Sequence, residues 1–231
     1  MKTIGLLGGM SWESTAVYYR SLNEKVKARL GGLHSARVLL HSVDFAPIAE
    51  LQAAGKWDEA GAVLAGAAKG LEAAGADIML IGTNTMHLVA PQVADAVTIP
   101  LLHIADATAE AIKPMGIQKV GLLGTRFTME KDFYKGHLRD HHGIETLVPD
   151  ADDRDVIHRI IYEELCLGVV KEQSRDTYLT IIGKLKDAGA ECIILGCTEI
   201  CLLIEQQHIS LPLFDTTSLH AEAAVNFAIN P

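Results

Sequence analysis

Short aliphatic runs alternate along the whole chain with amphipathic stretches of helical length, the pattern expected of βα units feeding parallel sheets. "TIGLLG" (3–8), "RVLLHSV" (37–43), "IMLIG" (78–82) and "IPLLHI" (99–104) predict strands in the first half. "KVGLLG" (119–124), "IETLV" (144–148), "CIILG" (192–196) and "LPLF" (211–214) predict strands in the second. Between them Val17, Leu22, Val26 and Leu30 recur at helical spacing and stop at Gly31–Gly32, a helix-ending signal. Ile157, Ile160, Ile161 and Leu165 make a second stripe that ends near Gly168.

The two halves repeat each other. "GLLG" stands at 5–8 and at 121–124; "LEAAGADIMLIGT" (71–83) parallels "LKDAGAECIILGC" (185–197); "IPLL…AEA" (99–111) parallels "LPLF…AEA" (211–223). Three matches in the same order, at offsets of 116, 114 and 112 residues, are the mark of an internal duplication. The expected fold class is therefore α/β, with two pseudo-twofold-related units, each a mainly parallel four-stranded sheet flanked by helices, facing each other across a ligand cleft.

Composition narrows the function. At 231 residues the chain suits one α/β domain or two small ones, and 49% hydrophobic with 21% charged residues provides for a buried core. A net charge of −9 without a dense Lys/Arg run excludes the electrostatic footprint of a nucleic-acid or anionic-membrane binder and points to small ligands. Gly8 and Gly9 break "MKTIGLLGGM" before it reaches the length of a signal peptide or membrane span, so a cytoplasmic protein is expected. Cys166, Cys192, Cys197 and Cys201 then read as free thiols.

The duplicated strand ends carry the candidate chemistry. "GTNT" (82–85) and "GCTE" (196–199) each place a glycine, a reactive side chain and hydrogen-bond donors where a parallel sheet binds ligands. The glycine permits a tight turn, and backbone N–H groups opening the next segment can hold a carboxylate. Asn84, Thr85 and Thr198 add side-chain donors. A helix N-terminus at Cys197 would lower its thiol pKa from about 8.5 and make it a base. An isolated cysteine here reads as a buried strand-end residue; the duplication and the polar neighbours shift the reading to chemistry. Glu199 adjoins the cysteine, suited to holding an ammonium or assisting proton transfer, and Thr125 ends the second "GLLG" strand. His87 follows Thr83 at helical spacing and reads as a helix residue behind the loop, while His141–His142 read as a solvated helix end. The spacings of Cys192, Cys197 and Cys201 lack the paired C-x-x-C of zinc sites, and "GLLGGM" lacks the dinucleotide pattern, so neither metal nor cofactor is expected.

Taken together, "IGLLGGMSWEST", "NT.H" (84–87) and "GCTE" (196–199), in this order over the whole chain, resemble the aspartate/glutamate racemase family, which works without pyridoxal phosphate. The resemblance implies two α/β domains, here 1–98 with about 210–231 returning to the first and 99–209 forming the second, a homodimer, and an amino-acid substrate. It also implies two opposed acid/base residues, usually both cysteines, at the positions of Thr83 and Cys197, with Met10 bordering the substrate. Inversion needs proton exchange on both faces of Cα, and a thiolate is a strong base for its pKa.

This chain departs from the family's pattern. Thr83 has a hydroxyl roughly as weakly acidic as water, pKa ~16, which donates or relays a proton but is no resting base. Cys197 is therefore expected to deprotonate the L-enantiomer, with D-substrates exchanging poorly. Cys166 stands where aspartate racemases carry a lysine, and "VDFAPIAELQ" (43–52) lacks their arginine, leaving Gln52 as a neutral contact. The expected substrates are L-aspartate, L-glutamate or a wider set of L-amino acids. The rival readings are a single-cysteine decarboxylase of a malonate-type acid and a non-catalytic two-lobed ligand-binding protein.

Overall fold

The computed structural model describes residues 1–230. The chain divides into two compact units, Met1–Ile104 together with the segment from Thr217 onward, and Ala105–Thr216. In chain order the elements are β1 (Ile4–Gly8), α1 (Trp12–Leu30), β2 (Val38–Ser42), α2 (Phe45–Ala53), α3 (Trp57–Ala73), β3 (Ile78–Ile81) and α4 (Ala90–Ala94). There follow α5 (Ile104–Ile112), β4 (Lys119–Gly124), α6 (Arg126–Glu130), α7 (Asp132–His142), β5 (Glu145–Leu147), α8 (Ala151–Glu163), α9 (Glu172–Asp187), β6 (Cys192–Gly196), β7 (Leu213–Asp215) and α10 (Thr216–Ile229).

Both sheets are parallel. The first has the order β2-β1-β3 and the second β5-β4-β6-β7. Every residue of β1, β3 and β6 is buried, as continuous aliphatic runs require when helices cover both faces of a sheet. The duplication reappears as hydrogen bonding: the Met79 N–H donates to the Pro100 carbonyl, and the Ile193 N–H to the Pro212 carbonyl, each at 2.9 Å. The two halves then diverge. Leu213–Asp215 continues as a strand beside β6, whereas its counterpart makes only a bridge between Met79 and Leu101 before α5 begins at Ile104. The expected strand over 99–104 is thus a single bridge and the first sheet has three strands. Neither Pro100 nor the start of α5 explains the loss, because Pro212 and the start of α10 at Thr216 stand at the same 112-residue offset and β7 still forms.

Helix ends follow local chemistry. Ser11 caps α1 by accepting from the Ser14 N–H, and Gly31 closes it at φ 72° behind Lys27 and Arg29, which suit the negative end of the helix dipole. The buried face of α1 is Thr15, Tyr18, Leu22 and Val26, while Val17 and Leu30 are exposed. Tyr18 displaces Val17 from the expected stripe because its ring fills the core and its hydroxyl finds a buried partner in His220 Nδ1 at 2.9 Å. The stripe on α8 is as expected through Ile157, Ile160 and Ile161, but the helix ends at Glu163 and Leu165 joins the same core from the 3-10 turn that follows.

The first unit is completed from far along the chain. Ala221, Ala224, Val225 and Ala228 of α10 pack against Ile4, Tyr18, Leu22, Val26, Ile78 and Leu80. Each large aliphatic side chain so buried contributes about 1.5–3 kcal/mol. The small alanines let α10 lie close to the sheet. No helix among the described residues is long and apolar enough to cross a membrane.

Candidate active site

In the first unit, Gly82 leaves β3 so close to β1 that a Cβ would lie 3.1 Å from the Leu7 carbonyl oxygen. Thr83 follows, half-buried, then Asn84 and Thr85, both buried, where a 3-10 turn (Thr85–Val89) opens. His87 holds this loop from behind. Its Nδ1 is 2.8 Å from the Thr83 carbonyl oxygen, which can only accept, so Nδ1 carries the proton; the Ile104 N–H donates to Nε2 at 3.1 Å. One neutral tautomer satisfies both contacts. Burial first, then the neighbouring His103 and His220 rings, keep the His87 pKa well below its ordinary value, so the imidazole stays uncharged.

Met10 and Gln52 join the same neighbourhood. Met10 packs with Ile48 and Met86, and the buried Gln52 amide donates to Met86 Sδ at 3.0 Å. The Met10 loop is fixed by Thr15, whose Oγ1 accepts from the Gly9 N–H at 2.7 Å and donates to the Ser11 carbonyl at 2.8 Å. Met10, Gln52, Asn84 and Thr85 therefore gather around the carboxyl ends of β1 and β3.

In the second unit β4 and β6 end in register at Gly124 and Gly196, so Thr125 and Cys197 leave adjacent strands side by side. Thr125 is buried and caps α6 by accepting from the Thr128 N–H. The Cys197 thiol donates to Glu199 Oε2 at 2.9 Å. Burial, then the Glu199 charge and this hydrogen bond, then Cys166, push the thiol pKa well above its ordinary value; only the Glu199 backbone N–H pulls the other way. This corrects the expectation of an acidified thiol. The segment after Cys197 is one 3-10 turn (Thr198–Leu202), too short to outweigh a partly buried carboxylate contact. Cys197 holds its proton at rest.

Cys166 sits in the 3-10 turn Leu165–Leu167, which packs against the turn carrying Thr198 and Glu199. Both Cys166 and Cys197 flank the core formed by Tyr178, Ile200 and their neighbours. Four groups here were passed over in the sequence. Tyr162 is raised in pKa by burial, then by Cys197, Cys166 and Glu199, and its ring lies 4.7 Å from that of His158. His158 Nδ1 accepts from the Arg126 N–H at 3.3 Å, and the Arg126 guanidinium holds Asp155 at 2.7 Å. The signal that finds three of them is a polar stripe, Asp155, His158 and Tyr162, running at helical spacing beside the apolar stripe of α8.

Other residues resolve otherwise. His142 is no solvated helix end: its side chain is 9% exposed and its Nε2 lies 2.7 Å from Asp106 Oδ1, which His137 Nε2 also approaches, at 2.5 Å. The four cysteines are free thiols. Cys192 is a strand-core residue whose thiol burial pushes up to about 12.

Set against known proteins, residues 7–224 match the family model described as Asp/Glu/hydantoin racemase. The chain is similar over the full length of both proteins to a candidate Asp/Glu racemase from Yersinia pestis, at 56% identity and a TM-score of 0.95. It is similar, again over the whole of both chains, to an aspartate racemase homologue from Pyrococcus horikoshii OT3, at 35% identity and a TM-score of 0.88. A broad specificity amino-acid racemase of Bacillus subtilis is 23% identical over 173 residues, 71% of this chain and 70% of that one.

Proposed function

The chain belongs to the Asp/Glu/hydantoin racemase family, and from that premise we propose that it is an amino-acid racemase working without a cofactor on L-aspartate, L-glutamate or a wider set of L-amino acids. Cys197 removes the α-proton of the L-enantiomer and Thr83 serves the opposite face. Asn84, Thr85 and Thr198 hold the α-carboxylate, and Met10, Gln52, Thr125 and Cys166 border the substrate.

The observation that carries this reading is the Cys197–Glu199 pair at the carboxyl end of β6. A protonated thiol is not a base. Transfer of its proton along the existing hydrogen bond to Glu199 leaves a thiolate beside a neutral carboxylic acid, and the thiolate then takes the α-proton. The charge moves from the substrate Cα toward its carboxylate, where fixed donors are most effective in a site that excludes water. The Thr83 hydroxyl completes the inversion as donor or relay, and cannot start the reverse reaction as a base. The two directions are therefore unequal.

Incubation of the protein in D2O with a panel of L- and D-amino acids, followed by measurement of deuterium at Cα and chiral analysis, tests this. L-substrates exchange and yield D-product, D-substrates exchange slowly, and Cys197→Ser abolishes both. Equal exchange from both enantiomers, or full exchange in the Cys197→Ser variant, would be incompatible with these roles. The resting thiol also favours a second reading, because a decarboxylase of a malonate-type acid needs a single proton donor. Release of CO2 from such an acid, with no amino-acid exchange, selects that reading.

A further inference from the structure

None of the residues proposed above to line the site carries a positive charge, yet aspartate and glutamate each present a second carboxylate. We propose that Arg126 receives this side-chain carboxylate and that Asp155 is its built-in competitor, so that an acidic substrate takes the guanidinium from Asp155 while a neutral substrate leaves the pair closed. The inference rests on the racemase reading and adds the determinant of its side-chain preference.

The placement follows from the sheet. Gly124 and Gly196 are in register, and neighbouring strands run about 4.8 Å apart, so Thr125 leaves the sheet next to Cys197, with Arg126 as the following residue. One face of α8 joins the two ends of this region. Asp155, His158 and Tyr162 are spaced by three and four residues, and about 10 Å of helix separates the first from the last. Asp155 grips the guanidinium, His158 accepts the Arg126 N–H, and the Tyr162 ring lies tilted 4.7 Å from that of His158 and feels the charges of Cys197, Cys166 and Glu199. Arg126 is thereby held at one end of a polar stripe on α8, one residue beyond the Thr125 that leaves the sheet next to Cys197.

The pair is also easy to open. The Arg126 and Asp155 side chains are 45% and 63% exposed, and ion pairs so exposed contribute little to folding, about 0–1 kcal/mol. A substrate carboxylate that brings its own oxygens to the planar guanidinium can form two parallel charge-assisted hydrogen bonds in exchange. Opening the pair is then a small cost set against a directional gain, which an amide side chain does not provide.

The test compares isosteric substrates. Cα–H exchange is measured for L-glutamate against L-glutamine, and for L-aspartate against L-asparagine, in the parent, Arg126→Gln, Arg126→Lys and Asp155→Asn. The expected result is that Arg126→Gln lowers the acid-over-amide ratio of kcat/KM by about tenfold or more, through KM for the acid. Arg126→Lys restores part of it, and Asp155→Asn raises the ratio. Acid and amide affected equally by Arg126→Gln, or a ratio that Asp155→Asn lowers, overturns the proposal while leaving the racemase reading intact. A parent that exchanges no amino acid at all overturns that reading and this inference with it.

Discussion

In the mechanism proposed above two demands pull against each other at Cys197: the thiol must ionise to abstract a proton, and the partly buried carboxylate beside it opposes ionisation. Glu199 would resolve this by being both a source of the raised pKa and the acceptor for the proton. Replacing it with the neutral Glu199→Gln removes the repulsion, so Cys197 should alkylate faster with iodoacetamide at neutral pH than in the parent. The same variant has lost the acceptor, and its Cα–H exchange should fall about 100-fold, the range of a general acid–base group. Unchanged alkylation with unchanged exchange would show that Glu199 does neither. The motif residues themselves were readable in the sequence, since "GCTE" and "GTNT" follow duplicated strands. The sign of the thiol's pKa shift was not. It depends on a carboxylate two residues away folding back onto the sulfur and on a turn too short to act as a helix dipole. Arg126 and Asp155 were hidden for a related reason: their pairing spans two elements, and each alone reads as an ordinary surface charge.

Among the elements, the strand-to-helix connections are where shape is most tightly set. Gly9 lies between β1 and α1 at φ +88°, and a Cβ there would fall 2.2 Å from the Val43 carbonyl oxygen and 2.5 Å from its nitrogen. Backbone atoms of a neighbouring strand connection cannot move aside as a side-chain tip can. Gly9→Ala should therefore cost about 2 kcal/mol or more, read as a lower denaturation midpoint in urea at unchanged m-value. It should also shift Met10 and weaken substrate binding. At this scale the sequence was largely legible: most of the aliphatic runs are strands within a residue or two of their expected ends. The failures are local. The run over 99–104 is only a bridge although its duplicate has a proline and a helix start at the same offsets, a difference that nothing in the structure explains, and Tyr18 outcompeted Val17 for the core because an aromatic ring with a buried hydroxyl partner looks polar in a simple pattern.

For the whole molecule, two buried imidazoles tie distant parts of the first unit together and make its stability depend on acid. His220 accepts the Tyr18 hydroxyl at Nδ1 and donates from Nε2 to the Leu102 carbonyl at 2.9 Å, joining α10, α1 and the segment before α5. Burial lowers its pKa to about 4, and lowers that of His87 as well. In an unfolded chain both titrate near 6.5. Their contribution is thus complete above about pH 6.5 and is lost as pH falls, because the unfolded state binds protons that the folded state refuses. For His220 alone the loss between pH 6.5 and 4 is about 3 kcal/mol. Chemical denaturation across this window should show stability falling with pH, and the slope should be shallower by about one proton in His220→Gln. An identical slope in the two proteins would exclude His220 from the effect.

The return of α10 to the first unit also sets an order of events during synthesis. A ribosome completes β1, α1, β2 and β3 before it makes any of the second unit, yet the apolar face these elements share stays uncovered until the helix starting at Thr216 appears. The second unit, continuous from Ala105 to Thr216, meets no such delay. The part of the chain born first is therefore closed last, and in the interval its exposed sheet face is the surface that a chaperone must shield from aggregation.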